Sequence, residues 1–200
     1  GMQVSSPTTG KPMQLSRPLD FLVVADHAEL MGSIKRVFNN DAELVATKTG
    51  GAVKQFGGKQ TEDELLKIYH LLAAVGSGVS GNFGLTREDA YHDLHGGERR
   101  RTTWNEVIDS AEKNNDPGKF TALIGWEWSS QPGGGNLHRV VVTPKGREVA
   151  SQFLPFSQLE SEDPEKLWSW LDTVNQKTGA DFVAIPHNSN ASKGMMFDAN

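Results

Sequence analysis

Phe120-Thr121-Ala122-Leu123-Ile124-Gly125-Trp126-Glu127-Trp128 is the stretch on which the fold turns. It is a mostly apolar run, closed by Asn115-Asp116-Pro117-Gly118 on one side and Pro132-Gly133-Gly134-Gly135 on the other. Such a run reads as a buried β-strand followed by a turn. Glu127 is its anomaly, because a glutamate between two tryptophans is almost never fully buried without a partner. A metal ion or an arginine would satisfy it.

Residues 136–143, with Val140-Val141-Val142, predict a further strand carrying His138 near its start. If the two strands form a tight antiparallel pair, their turn brings Glu127 and His138 together. Upstream, Pro18-Leu19-Asp20-Phe21-Leu22-Val23-Val24-Ala25-Asp26-His27 predicts a strand buried on both faces, ending in the polar pair Asp26-His27. Residues 181–186 predict a last strand, followed directly by His187. Helices are predicted over 28–38, with Leu30, Ile34 and Phe38 at spacing four, and from Thr61 to about Ala74 behind a capping-box pattern. Two more run from Thr103 to about Asn114, and from Ser161-Glu162-Asp163-Pro164-Glu165 to about Lys177. Residues 1–16 read as an arm, Gly50-Gly51 and Gly57-Gly58 as loop, and 76–101 as an irregular glycine-rich segment. No fixed-period repeat is present. Strands alternating with helices predict an α/β fold with a largely parallel sheet.

The 200 residues suit one domain. The apolar fraction is 36%, and exchanging Tyr for Gly in the count brings it to roughly 46%, enough for an ordinary core. The longest unbroken apolar stretches, such as Phe21-Leu22-Val23-Val24-Ala25, are far short of the ~18 residues of a membrane span. With 20 Lys and Arg against 25 Asp and Glu, the net charge of −5 argues against gripping nucleic-acid phosphates. Cysteine is absent, so a metal site must use His, Asp and Glu. Gly1-Met2 reads as a tag scar, and no signal-peptide pattern follows it.

Chemistry in parallel sheets and barrels collects at the C-terminal ends of strands. Here His27, Glu127 and His187 stand at or near such ends, and His138 follows the glycine turn. Three imidazoles and a carboxylate suit Zn, Mn or Fe(II). Other patterns read more plainly. Gly76-Ser77-Gly78-Val79-Ser80-Gly81 matches a dinucleotide fingerprint but follows a predicted helix instead of a strand. Gly133-Gly134-Gly135 lacks the residues of a phosphate loop. His92 and His95 read as loop residues before metal ligands, and Arg99-Arg100-Arg101 as a solvated charge run before an anion site. Trp168 and Trp170 read as packing residues. Asn190-Ala191-Ser192 matches a glycosylation acceptor, though nothing else reads as secretory.

Val24-Ala25-Asp26-His27, Gly125-Trp126-Glu127-Trp128, Asn136-Leu137-His138-Arg139 and Ile185-Pro186-His187-Asn188-Ser189-Asn190 together resemble the PHP (polymerase and histidinol phosphatase) superfamily. The likeness spans roughly residues 13–198 and is closest to an uncharacterised bacterial branch, a domain-of-unknown-function family. It implies a distorted (β/α)7 barrel with two or three divalent ions at its mouth. It places His27, Glu127, His138 and His187 as metal ligands, with Glu127 bridging. The His-x-His that usually opens such barrels and the Asp-x-His that closes them are missing. The expectation is therefore a single-domain fragment of a barrel carrying a partial metal site.

The resemblance implies a metal-dependent hydrolase, foremost a phosphoesterase, acting on a small-molecule substrate in the cytoplasm or periplasm. Asp26 would orient a ligand or accept a proton, and Asn188 and Asn190 would hydrogen-bond substrate or ligands. Arg139 would either steady a phosphoryl oxygen or form a structural ion pair. Two alternatives stay open: a non-catalytic barrel binding through the same mouth, and an amidohydrolase-like enzyme cleaving C–N bonds.

Overall fold

A computed structural model describes residues 3–56, 66 and 85–197. Among the described residues the fold is mixed α/β, with a curled four-stranded half-barrel sheet and seven α-helices. The N-terminal arm is not wholly irregular. Strands β1 (Val4–Ser5) and β2 (Pro12–Met13) close a small exposed antiparallel hairpin.

The main sheet runs β3 (Phe21–Val23), β4 (Thr121–Trp128), β5 (Arg139–Thr143), β6 (Val183–Pro186). β3 pairs parallel to β4, while β4–β5 and β5–β6 are antiparallel. The sheet is therefore not largely parallel. The ten-residue link from β4 to β5 is too short for a crossover helix, so this pair must be antiparallel. The β4–β5 pair anticipated from the glycine turn is present, and the turn holds a short 3-10 segment, Pro132–Gly134.

β3 departs from expectation. It is a short edge strand, with Phe21 66% and Leu22 45% exposed, instead of a strand buried on both faces. Beyond it the chain touches β4 once more, through the isolated parallel bridge His27–Glu127.

Side chains of a strand alternate between faces. In β4, Ile124, Trp126 and Trp128 point into the principal core with Val141 of β5. Two helices cover that face: α5 (Gly97–Asn114), through buried Trp104 and Ile108 at spacing four, and α7 (Pro164–Thr178), through Leu167, Leu171 and Val174. Trp104, Trp126, Phe153, Trp170 and Phe182 stack edge-on or tilted at centroid distances of 5.5–6.2 Å where they meet. Trp168 and Trp170 both pack on this core, as read from the sequence. The opposite face of the sheet carries Gly125 and Glu127 of β4, paired across to Val142–Val183 and Val140–Ile185.

A second cluster is built by α1 (Ser33–Phe38), α2 (Ala42–Val45), α3 (Lys48–Phe56) and α4 (Arg87–Leu94). Gly50-Gly51 lies inside α3, not in a loop; a Cβ at Gly50 would run into the Leu44 carbonyl. α4 and the first turns of α5 occupy part of the segment expected to be irregular. Thr86 caps α4 in a reciprocal box with Asp89, a pairing that fixes the helix start. α6 (Arg147–Ala150) is a further short turn of helix. The helix expected from Thr61 and the Gly76–Gly81 motif lie outside the described residues. No helix among the described residues is long and apolar enough to cross a membrane.

Candidate metal centre

Glu127 organises the site. It lies near the C-terminal end of β4, 6% exposed, on the face away from the tryptophan core. Its Oε1 accepts a 2.6 Å hydrogen bond from His138 Nδ1. His27 Nε2 stands 3.5 Å from Oε2, and His187 Nε2 stands 4.0 Å from Oε1. The His27 and His138 rings meet edge-on at 5.7 Å, and the His138 and His187 rings lie 6.4 Å apart. The four residues expected as ligands thus converge around one carboxylate.

Main-chain hydrogen bonds hold them there. Glu127 N–H donates to the Asp26 carbonyl, and Ala28 N–H to the Glu127 carbonyl, locking His27 beside β4. His187 N–H donates to the His138 carbonyl, and His138 N–H to the Asn136 side chain. Asn188 takes the left-handed conformation (φ +56°), which asparagine tolerates better than most residues, and its amide lies 3.2 Å from His187 Nε2.

Burial alone would raise the Glu127 carboxyl. The His138 hydrogen bond and the nearby His27, His138 and His187 rings outweigh this and hold it below its ordinary value. His27 is shifted upward, first by its hydrogen bond to Glu29, against a downward push from burial, then by the charges of Glu29, Glu127 and Asp26. The neighbourhood is acidic and favours a cation. Among the described residues, however, no group of three or more His, Asp or Glu is arranged around a single point as a metal would require. Glu127 and His138 are in direct hydrogen-bond contact, whereas donors sharing a tetrahedral ion stand roughly 3.3 Å apart.

The remaining expected residues fall in different places. Asp26 is exposed beside His27. Asn190 is exposed on the 3-10 turn Ser189–Ala191 and shares no hydrogen bond with the histidines. Arg139 is buried, and its Nη1 donates to the Leu137 and His138 carbonyls and contacts Met196 Sδ. It is placed to brace the loop that carries His138. His92 and His95 do not cooperate: His92 faces Glu88, and His95 is bonded to Glu160. The arginine triplet is not a solvated run. Arg100 bonds Glu160 and the Pro155 carbonyl, and Arg101 bonds the Ser151 and Phe153 carbonyls.

Three residues at the site carried no sequence signal. Glu29 accepts from His27 Nδ1 at 2.9 Å, Gln158 Nε2 donates to Glu29 at 3.2 Å, and the Gln131 amide lies 3.0 Å from His138 Nε2. His27, Glu29, Gln131 and Gln158 also line a cleft of about 1240 Å³, whose walls include Leu22, Met31, Ile34, Val107 and Phe120.

Comparison with curated proteins and with solved structures gives no match. A family model described as "Protein of unknown function (DUF3604)" matches residues 1–200. The chain belongs to the DUF3604 family.

Proposed function

We propose that the chain carries the metal-holding part of a PHP-like, metal-dependent hydrolase whose substrates are phosphate esters. The observation that carries this reading is the convergence of His27, His138 and His187 on the Glu127 carboxylate.

The donor set fits a borderline divalent ion such as Zn, Mn or Fe(II). His27 and His187 are accessible, with side chains 57% and 45% exposed, and each turns Nε2 toward Glu127. His138 would ligate through Nδ1, in place of the proton it shares with Glu127. Its ring would then carry the proton on Nε2, and the Gln131 amide, whose nitrogen faces that atom, would turn over to accept it through its oxygen. A bound ion supplies a water acidified toward neutrality and a polarised P–O group. Glu127, whose carboxyl its neighbours hold below its ordinary value, would offer its oxygens to such an ion. Asp26, exposed beside His27, would accept a proton from a nucleophilic water. Asn188 and the exposed Asn190 offer amides to substrate oxygens. Arg139, committed to main-chain carbonyls, would keep the His138 loop in place instead of reaching a substrate oxygen.

The test is metal content together with phosphodiesterase turnover, measured on the parent chain beside His187→Ala and Glu127→Ala. Both variants are expected to lose metal and to lower turnover at least 100-fold. Unchanged metal stoichiometry in both would sink the proposal. A second reading, a non-catalytic binding barrel, draws on His138 having both ring nitrogens already engaged. Stoichiometric metal without turnover on phosphate esters or amides would favour it, and turnover on amides alone would assign C–N cleavage.

A further inference from the structure

Glu29 is the most conspicuous group beside the cluster that the scheme above does not use. It follows His27 by two residues, but the chain has left the sheet there. Leu30 (φ +59°) and Gly32 (φ +73°) turn it sharply, and the Glu29 side chain folds back against the imidazole, only 12% exposed. One oxygen, Oε1, accepts from both His27 Nδ1 and Gln158 Nε2. The other, Oε2, is buried with no hydrogen-bond partner. Burying a half-paired carboxylate is costly. An apolar residue would fill the space at lower cost, so its value lies in what Oε1 does to His27.

Only one nitrogen of a neutral imidazole carries a proton, and the partner of that nitrogen decides which. With Nδ1–H donating to Glu29, the lone pair is left on Nε2, the atom that faces Glu127. Gln158 keeps the carboxylate from swinging away, and Gln158 is itself fixed. The adjacent Ser157 donates to Glu160 through its N–H and hydroxyl, and Glu160 is tied to Arg100 and His95.

We propose that Glu29 is a positioning residue of the metal centre: held by Gln158, it fixes His27 as the Nδ1–H tautomer and so aims Nε2 at the ion. This rests on the metal-site reading above. It extends the site by a carboxylate–histidine pair and a glutamine delivered from the loop before α7.

Two measurements on the full chain test it. The first is calorimetric titration with Mn2+. Glu29→Leu, which removes the acceptor but suits the buried space, is expected to weaken Mn2+ binding about 10–100-fold. Glu29→Gln, which keeps an acceptor oxygen, is expected to restore most of that loss. The near-ultraviolet signal of the buried tryptophans reports whether each variant is folded. The second needs no metal. Long-range 15N–1H spectra of the metal-free protein, at a pH where the ring is neutral, are expected to show His27 protonated on Nδ1 in the parent and shifted toward Nε2 in Glu29→Leu. Equal Mn2+ affinity in parent and Glu29→Leu, or a parent His27 already protonated on Nε2, overturns the proposal. A parent chain that takes up no Mn2+ refutes the metal-site reading instead, and the tautomer alone then decides the role of Glu29.

Discussion

Glu160 shows how much of this molecule rests on single carboxylates. Burial would raise its carboxyl, but hydrogen bonds from His95 and Ser157 and the charge of Arg100 bring it from 4.5 down to about 2. A folded value below the unfolded one gives stability that is present above pH 4.5 and is lost as the pH falls toward 2. Glu160→Gln is expected to cost about 3 kcal/mol at neutral pH, since it leaves Arg100 buried without its counter-charge. Urea titrations across a pH series check this, and the gap between parent and variant should close between pH 4.5 and 2. The arginine triplet was visible in the sequence, but its use was not. Arg100 finds Glu160 across 60 residues of chain, and no local spacing reports such a pairing. Glu29, Gln131 and Gln158 were hidden for the same reason. They sit on turns or loops, where no periodicity marks which way a side chain points.

Among the elements, β4 behaves most nearly as its sequence implies, with tryptophans on one face and Gly125 and Glu127 on the other. Gly125 is required by contact. A Cβ there would stand 2.7 Å from the Val141 carbonyl oxygen and 2.7 Å from Val23 Cγ2. Gly125→Ala is therefore expected to destabilise the chain by about 1–3 kcal/mol and to loosen β3 from β4. Equilibrium unfolding gives the first quantity, and hydrogen exchange at the amides of Phe21, Leu22 and Val23 gives the second. β5, β6 and α7 also lie where the apolar runs put them. α4 does not, because its glycine-rich surroundings obscured the one clear signal, Thr86 followed three residues later by Asp89. β3 was over-read as buried, since its apolar composition resembles that of an interior strand although, among the described residues, only β4 pairs with it.

At the scale of the whole molecule, helices cover the half-barrel on its tryptophan face, while among the described residues apolar side chains of β6 on the Glu127 face are exposed. Val183 and Ile185 are 59% and 49% exposed there. A sheet edge with exposed apolar side chains is prone to self-association. The double substitution Val183→Lys and Ile185→Lys is expected to reduce dye binding and association in light scattering, with stability changed by no more than about 0.5 kcal/mol. His27, Glu127 and His187 were legible because they stand at or near the ends of apolar runs, and the glycine turn before β5 located His138. The glycine turn announced the antiparallel β4–β5 pair, but that β6 would also run antiparallel could not be read from its run, because direction is set by pairing partners and not by composition.

The parallel pairing of β3 with β4 carries a consequence for the order of assembly. β4 and β5 meet through a short hairpin, whereas Phe21 finds Thr121 only after a hundred residues of intervening chain. Closing the longer loop costs about 2 kcal/mol more in chain entropy. The hairpin is thus the favoured nucleus, and β3 docks onto an edge already formed. His27 travels with β3, while Glu127, His138 and His187 belong to the β4–β5–β6 meander. His27 is therefore the last of the four to arrive and the first to leave when the edge frays, so, on the proposed metal-site reading, capture of an ion by His27 would act as a latch on that strand.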